Sequence, residues 1–459
     1  MSITYPIIKI TTSGQVLEFS GDQIIEASLI EQVNLISEEI PINEVEFKVF
    51  SDSGDFSMFG GEYYELLSDR LPVEVYESID GSPVFLGKFY LSEWENPSEY
   101  EFRFRAIDII GVLAHTDYDG RFYSTATSLS DVLADLFNPI DVLYTLDPDI
   151  VDTEVKGWIP PGTYREALQQ ICFVSDAVPT TSRSSNLLIS KRRIPAGLFD
   201  TKILDDEKFQ GQVVKLNPLV TSVELVSHTY DIGGELEDIF AEDLEIGTHK
   251  ITFNKPYYEL VITGPGYIQS VLGTEDGDYL VTEDELNYLE VGGEYVFGPN
   301  SVYLELSEAG TVTITGYPWL DSQRSHFFVE TVINEYSNKN TIKIDEVALV
   351  NITNAQTVLN GLRDYFRLRY FCTIKILPST IKMGDLVYIK AFGGHKIVGS
   401  VTKLVMNLTG GFIIDLEMTS TEVVYIQPVE FPVRRPRTGV AECGVGEIRQ
   451  NMFRRYTHE

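Results

Sequence analysis

The sequence predicts a mainly β protein with a small α/β part, and three observations carry that prediction. Apolar and polar residues alternate over short runs, as in Glu44–Phe50 (EVEFKVF), which is the period of a half-buried strand. Tyr and Phe number 25 each against 6 Met, a balance that suits pleated surfaces. Gly, Pro, Asn and Asp punctuate the runs and supply the turns a sheet protein needs. At 459 residues the chain is long for one domain, which argues for roughly two to four.

Residues 1–112 read as an all-β unit, expected to be a first small barrel. Ile7 to Ile10, Val16 to Phe19, Ile24 to Leu29, Glu44 to Phe50, Leu71 to Glu77, Val84 to Glu93 and Tyr100 to Ile107 are its strands. Asp80-Gly81 and Asn96-Pro97-Ser98 are turns between them. Residues 113–200 change period and are expected to form an α/β connecting domain. Leu129, Val132, Leu133, Leu136 and Phe137 share one helical face, with Ser128 as N-cap. Thr163 and Glu166 spell a capping box ahead of the stripe Ala167, Leu168, Ile171 and Cys172. A hairpin follows from Ala177-Val178 to Leu187-Leu188-Ile189, across the polar turn Ser182 to Asn186.

The β texture returns over 201–232, with Val220 to Tyr230 its clearest strand, and resumes over 329–426. These two stretches are expected to form one second barrel, split by an insertion. Its one helix has Thr353 and Gln356 as capping box and Val358, Leu359, Leu362 and Phe366 as stripe. Leu386 to Ala391, Ile397 to Met406 and Phe412 to Met418 are strands. The insertion, 233–328, opens with acid clusters and continues as short strands between regularly spaced glycines, the pattern of a β-sandwich.

The chain repeats itself. Val75-Tyr76 and Val387-Tyr388, Gly81 and Gly393, and Gly87 and Gly399 are each 312 residues apart. Both copies read strand, Gly turn, apolar pair, Gly, strand, turn, strand. A glycine inside a strand pattern marks a bulge or a corner.

Composition excludes several functions. With 69 Asp+Glu against 35 Lys+Arg, the formal net charge is -34, which repels phosphate backbones and anionic membranes. That surface serves solubility, or a channel that DNA passes without sticking. Cys172, Cys372 and Cys443 are odd in number and far apart, so neither a disulfide framework nor a zinc site is expected. The usage fits a reducing cytosol. Met1-Ser2-Ile3-Thr4 does not open a signal peptide, and no apolar run has the length of a membrane span, so no membrane anchor is expected.

No catalytic motif stands out. HExxH and HxH spacings, a GxSxG elbow and a GxxxxGK phosphate loop are missing. Asp205-Asp206-Glu207 and Glu283-Asp284-Glu285 read as solvated faces, and Asp276-Gly277-Asp278 as a turn rather than a calcium loop. His228 and His326 flank the insertion and read as ordinary strand residues, with a meeting at its neck as the alternative. The insertion's aromatics, among them Tyr257, Tyr258, Tyr317 and Trp319, read first as cross-strand packing, with a sugar-binding face as the alternative. No cofactor is expected.

The last segment, 427–459, differs from the acidic body. Arg434, Arg435, Arg437, Arg449, Arg454 and Arg455 face only three acids from Phe431 on, and Pro428, Pro432 and Pro436 disfavour regular structure. It reads as a basic extended arm that docks on an acidic neighbour, such as another copy of the chain.

Four groups of segments resemble the hub proteins of phage tails and phage-tail-like particles. They are LPVEVYESIDGSPVFLGKFYLSEW (71–94) with FRFRAIDIIGVL (102–113), and TYREALQQICFVSDAVPTTSRSSNLLIS (163–190). LVTSVELVSHTY (219–230) is the third. The fourth is TVLNGLRDYFRLRY (357–370) with KMGDLVYIK (382–390) and IVGSVTKLVMNLTGGFIIDLEM (397–418). The insertion and the arm match nothing in that family. The resemblance implies two tube-protein-like β-barrels per chain and a homotrimer. Such a ring joins a sixfold tail tube to a threefold spike or central fibre, beside the tape measure and other baseplate proteins. It implies a non-enzymatic virion subunit, assembled in the host bacterial cytoplasm, through which genomic DNA passes without specific binding. A tail-tip protein that binds host carbohydrate through 233–328 is the competing reading, and a cell-wall hydrolase a third.

Overall fold

The computed structural model describes residues 4–195, 198–209, 211–265, 267–270, 296–298, 300–306, 308–330, 339–391, 395–409, 411–421 and 423–425. The first part is β: β1 (Thr4–Thr11), β2 (Val16–Ser20), β3 (Ile24–Gln32), β4 (Glu44–Phe50), β5 (Pro72–Ile79), β6 (Ser82–Glu95) and β7 (Glu101–Ile107). Along β4 the buried residues are Val45, Phe47 and Val49, the alternation read from the sequence. Asp80 and Gly81, which connect β5 to β6, both have positive φ (49° and 84°), the geometry of a tight hairpin turn.

The connecting part follows: α1 (Ile109–Leu113), β8 (Asp117–Tyr118), β9 (Arg121–Ser128), α2 (Leu129–Phe137), β10 (Tyr144–Leu146), β11 (Glu154–Ile159), β12 (Gly162–Thr163), α3 (Tyr164–Val174), β13 (Ala177–Thr180) and β14 (Leu187–Lys191). Both expected caps form. The Ser128 hydroxyl accepts from the Asp131 amide at 3.2 Å, and Thr163 and Glu166 make a reciprocal box at the start of α3.

Then come β15 (Thr201–Lys202), β16 (Val213–Leu216) and β17 (Ser222–Ile232). The insertion holds β18 (Glu237–Leu244), β19 (Gly247–Thr252), β20 (Tyr257–Gly264), β21 (Tyr267–Ser270), β22 (Val296–Gly298), β23 (Ser301–Leu306) and most of β24 (Gly310–Val329). The remainder is β25 (Thr341–Ile344), α4 (Ala355–Phe366), β26 (Tyr370–Ile376), β27 (Leu386–Lys390), β28 (His395–Asn407), β29 (Ile414–Ser420) and β30 (Val423–Tyr425).

Three apolar cores organise these elements. The largest takes in both repeats: Ile8, Phe47 and Phe104 from the first, Ile374, Val401 and Leu416 from the second. The second core is helical, built on Leu133, Leu168, Ile171 and Cys172. The third is small and lies in the insertion, around Leu304 and Ile314.

This partition corrects one expectation. β17, β25 and α4 were expected in the split second barrel, yet Val223, Leu225, Ile344, Val358, Leu359 and Leu362 all belong to the helical core. An amphipathic helix goes where its stripe is covered. α4 covers the helical core, while β15, β16 and β26–β30 stay with the large sheet. The start of α4 also differs. Asn354 is its N-cap, but its side chain bonds the Asn351 amide and the Leu349 carbonyl rather than capping the helix. Instead, Asn351 Oδ1 accepts from the amides of Thr353 and Asn354, at 2.9 and 3.1 Å. Gln356 bonds Asn360 rather than closing a box with Thr353.

The large sheet runs β16-β26-β29-β28-β3-β4-β7-β6-β5-β1-β2, with β27 and β30 on β28 and β15 on β27. It contains the same five-strand order twice. The first is β3-β4-β7-β6-β5, and the second is β16-β26-β29-β28-β27, all antiparallel. The units differ at the next strand out: β1 meets β5 antiparallel, while β15 meets β27 parallel. Among the described residues neither ladder closes on itself. The second edge of β3 is taken by β28, so one unit runs into the other.

Candidate assembly interface

Two of the described repeat positions in each unit form a like strand pair. Val75 pairs with Gly87 and Val387 with Gly399. A Cβ on Gly87 would meet the Phe89 ring at 2.9 Å, and one on Gly399 would meet the Thr419 carbonyl oxygen at 2.8 Å. Each unit also bends at one point: a bulge in β6 between Leu91 and Glu93 lies opposite Ala106 and Arg105, and one in β28 between Val401 and Lys403 lies opposite Met418 and Glu417. Ala106 and Met418 are again 312 residues apart. Two further register shifts in the first unit, beside Gly87 and between Ile24 and Glu26, have no counterpart in the second.

The tyrosines are framework residues. The Tyr76 hydroxyl donates to Glu74 Oε2 at 2.8 Å, and its ring meets Phe85 edge-on. Burial, with the Glu74 carboxylate beside it, pushes the Tyr76 phenol above its ordinary value. Tyr388 is buried against Phe199, with Lys202 Nζ 5.5 Å from its ring centroid. Gly393 and the arginines Arg434, Arg435, Arg437, Arg449, Arg454 and Arg455 lie outside the described residues.

The two units meet where β3 pairs with β28: Gln32 opposite Lys403, Glu31 opposite Leu404, Ile30 opposite Val405, Leu29 opposite Met406 and Ser28 opposite Asn407. Onto this seam reaches the β13–β14 turn. The Thr181 hydroxyl donates to Asp108 Oδ2 at 2.8 Å and accepts from Asn43 Nδ2 at 2.9 Å. Ser182 accepts from the Met383 amide at 3.3 Å. Arg183 Nε lies 4.0 Å from Glu31 Oε2, and its Nη2 lies 3.1 Å from Met406 Sδ. Desolvation raises the Glu31 carboxyl, and the Arg183 charge opposes the rise; Glu77 is raised for the same reason. Burial pushes Asp108 from 3.8 to about 6. The sequence marks this turn only as polar. A run of Thr-Thr-Ser-Arg between two buried strands was the available sign, since polar groups sealed in an interior need partners.

The neck of the insertion is a strand ribbon. β24 is 20 residues long; its first half carries β18 and β20, and its second half pairs with β17 from Trp319↔Ile232 to Val329↔Ser222. His228 and His326 both lie on it but do not pair: His228 Nδ1 is 2.9 Å from Asp321 Oδ2, and His326 Nε2 is 2.8 Å from Ser227 Oγ. Trp319 packs on Phe122 with ring centroids 4.5 Å apart, and on Tyr258 at 5.4 Å. Trp158 Nε1 donates to Asn300 Oδ1 at 2.8 Å, and the Tyr303 hydroxyl donates to Asp119 Oδ2. The insertion's aromatics Tyr258 and Trp319 are thus spent on packing at the neck.

The acidic and thiol groups weighed for chemistry have structural surroundings. Lys208 and Lys390 both bond Asp205, which holds its carboxyl down at about 2. Cys172 and Cys372 are buried, and burial pushes both thiols up. Among the described residues no group of three or more His, Cys, Asp or Glu is placed to hold a metal ion. Asp276-Gly277-Asp278, Glu283-Asp284-Glu285 and Cys443 lie outside them. Among the described residues no helix is long and apolar enough to cross a membrane.

No protein-family model matches the sequence, and no curated protein matches it. Solved structures do match. The tail protein from Neisseria meningitidis MC58 aligns over 91% of this chain and 97% of its own, at 10% identity and a TM-score of 0.52. The 43 kDa tail protein of prophage MuSo2 from Shewanella oneidensis aligns over 90% and 98%, at 8% identity and a TM-score of 0.49. Prophage tail protein gp18 from Listeria monocytogenes EGD-e aligns over 90% and 94%, at 9% identity and a TM-score of 0.46. Over nearly its whole length, therefore, the chain is similar in fold to a bacterial tail protein, the kind of protein its sequence segments resemble.

Proposed function

We propose that the chain is a structural, non-catalytic tail hub subunit that forms a homotrimer and adapts a sixfold tail tube to a threefold spike or fibre. One observation carries the reading: a single polypeptide holds the same five-strand order twice, with the same Val–Gly pairing and a bulge opposite the same position. Three such chains offer six near-equivalent units, which is what a junction between sixfold and threefold partners requires. The proposed division is a first tube-protein-like barrel in 1–112, and a second from β15, β16 and β26–β30. An α/β connecting domain incorporates β17, β25 and α4, and an inserted sandwich within 233–328 sits beside it. The partners are then the tube protein above, the spike or fibre below, and the tape measure and other baseplate proteins around it. A net charge of -34 suits a lumen that lets DNA slide past. The arginines of 427–459 serve as an arm that docks on an acidic neighbouring copy. The site of action is a virion tail, or a phage-tail-like particle, put together in the host cytoplasm.

Native mass spectrometry with negative-stain imaging of the full chain tests this. A trimer that forms rings with six lobes is the expected result. A chain that stays monomeric alone and also when mixed with its tube protein contradicts it.

A further inference from the structure

Two of the sheet edges that lack a ladder partner among the described residues have counterparts inside the chain, and the internal repeat says what should meet them. β16 ends the sheet and pairs only with β26. Its Val213 and Leu216 are 44% and 56% exposed. A strand that shows apolar side chains beside bare N–H and C=O groups is a template for another strand. The other edge belongs to β6. That strand pairs with β7 to its end at Glu95, but its ladder with β5 stops at Tyr90. Leu91 is bonded to Arg70 and Leu71, which leaves Ser92–Glu95 as the edge.

Inside the chain, the equivalents of these two edges are joined to each other. β28 corresponds to β6, and its second half is covered by β3, which corresponds to β16. The bulges opposite Ala106 and Met418 fix the alignment of the units at this end of the strands, where it lies two residues from the offset that relates Gly87 to Gly399. Arg105↔Glu93 then matches Glu417↔Lys403, so Glu93, Trp94 and Glu95 take the places of Lys403, Leu404 and Val405. On the other side, Val45↔Leu29 matches Cys372↔Val214, so Lys215 and Leu216 take the places of Ile30 and Glu31.

We infer that β16 of one copy pairs antiparallel with Ser92–Glu95 of β6 in the next copy, repeating between chains the β3–β28 seam within each chain. The register follows from the seam. Ile30 opposite Val405 sets Lys215 opposite Glu95, and Glu31 opposite Leu404 sets Leu216 opposite Trp94. These side chains played no part in the alignment, yet they match, a cation to an anion and an apolar residue to an aromatic one. Glu95 is already held by Arg103 at 2.6 Å, so the incoming lysine meets a fixed carboxylate. The two edges are different surfaces, so the contact is head-to-tail and propagates into a ring. The sheet becomes continuous around it, eight strands per copy. The inference rests on the ring reading above, and adds which edges close the ring.

Disulfide trapping in the full-length chain tests it, with Cys443→Ser as background. Glu95→Cys with Lys215→Cys should give, on mild oxidation, a non-reducing gel ladder that ends at the trimer. An equimolar mixture of the two single variants should give a dimer and nothing larger. A trimer by native mass with no cross-link in either sample overturns the edge pairing and leaves the ring. Monomers by native mass with no cross-link overturn both. In a chain that keeps Cys443, Lys215→Cys closing an intrachain bond to it would show that the arm covers β16, and that too overturns the pairing.

Discussion

Gly87 and Gly399 stand at the same point of two strand pairs, each opposite a valine. Their surroundings differ in hardness. The obstacle to a Cβ at Gly399 is a backbone carbonyl, with Met418 Sδ at 3.1 Å behind it, whereas at Gly87 it is the ring of Phe89. Gly399→Ala should therefore lower stability by about 2 kcal/mol, in the range of overpacked cores, and Gly87→Ala by less. Calorimetry of the two variants reads this, and an equal or reversed order of midpoints contradicts it.

The buried carboxyl of Asp108 should make stability depend on pH in an unusual direction. Its folded value of about 6 exceeds the ordinary 3.8, so between the two the folded chain holds a proton that the unfolded chain has released. The stability this contributes is present below about pH 4 and lost as pH rises through about 6, up to about 3 kcal/mol. Asp108→Asn should flatten the pH profile of the urea midpoint between those limits. Glu31 and Glu77, raised in the same direction, leave a residual slope. An unchanged profile in the variant would count against Asp108 as its source.

Arg192 ties the β14 end of the connecting part to α4. Its side chain is 2% exposed, bonds Asp176 at 2.7 Å, and donates to the Gly361 carbonyl at 2.9 Å. The Asp176 side chain is 43% exposed, so it is removal of Asp176 that leaves a buried charge, that of Arg192, uncompensated. Asp176→Ala should cost about 3 kcal/mol, and Arg192→Ala combined with Asp176→Ala should cost less than the sum of the two single changes. Chemical unfolding followed by tryptophan fluorescence distinguishes these, and additive losses contradict the coupling.

Trp319 holds the insertion against the connecting part through Phe122. Trp319→Ala should loosen 233–328 without altering assembly. Limited proteolysis should cut inside the insertion several-fold faster, while the native mass stays as in the parent chain. Loss of the oligomer in this variant would mean that the insertion is part of the ring contact.

Local chemistry made much of this protein legible in advance. The period of Glu44–Phe50, the Asp80-Gly81 turn, the Ser128 cap and the Thr163/Glu166 box each depend on a few neighbouring residues, and each forms as the sequence predicts. The offset of 312 is also a property of the string, and it survives as the Val75–Gly87 and Val387–Gly399 pairs.

Only the tertiary structure decided which surfaces meet. The stripe of α4 is apolar whichever core it joins, so its place in the helical core could not be read from Val358, Leu359 and Leu362 themselves. The seam between β3 and β28 joins residues more than 370 positions apart, and the Thr181–Arg183 turn that seals it shows nothing in sequence beyond polarity. Short-range spacing fixes what an element is, because that depends on its own dihedrals and turns. Which partner covers it is settled by competition among every apolar face the whole chain presents, and no local window contains that comparison.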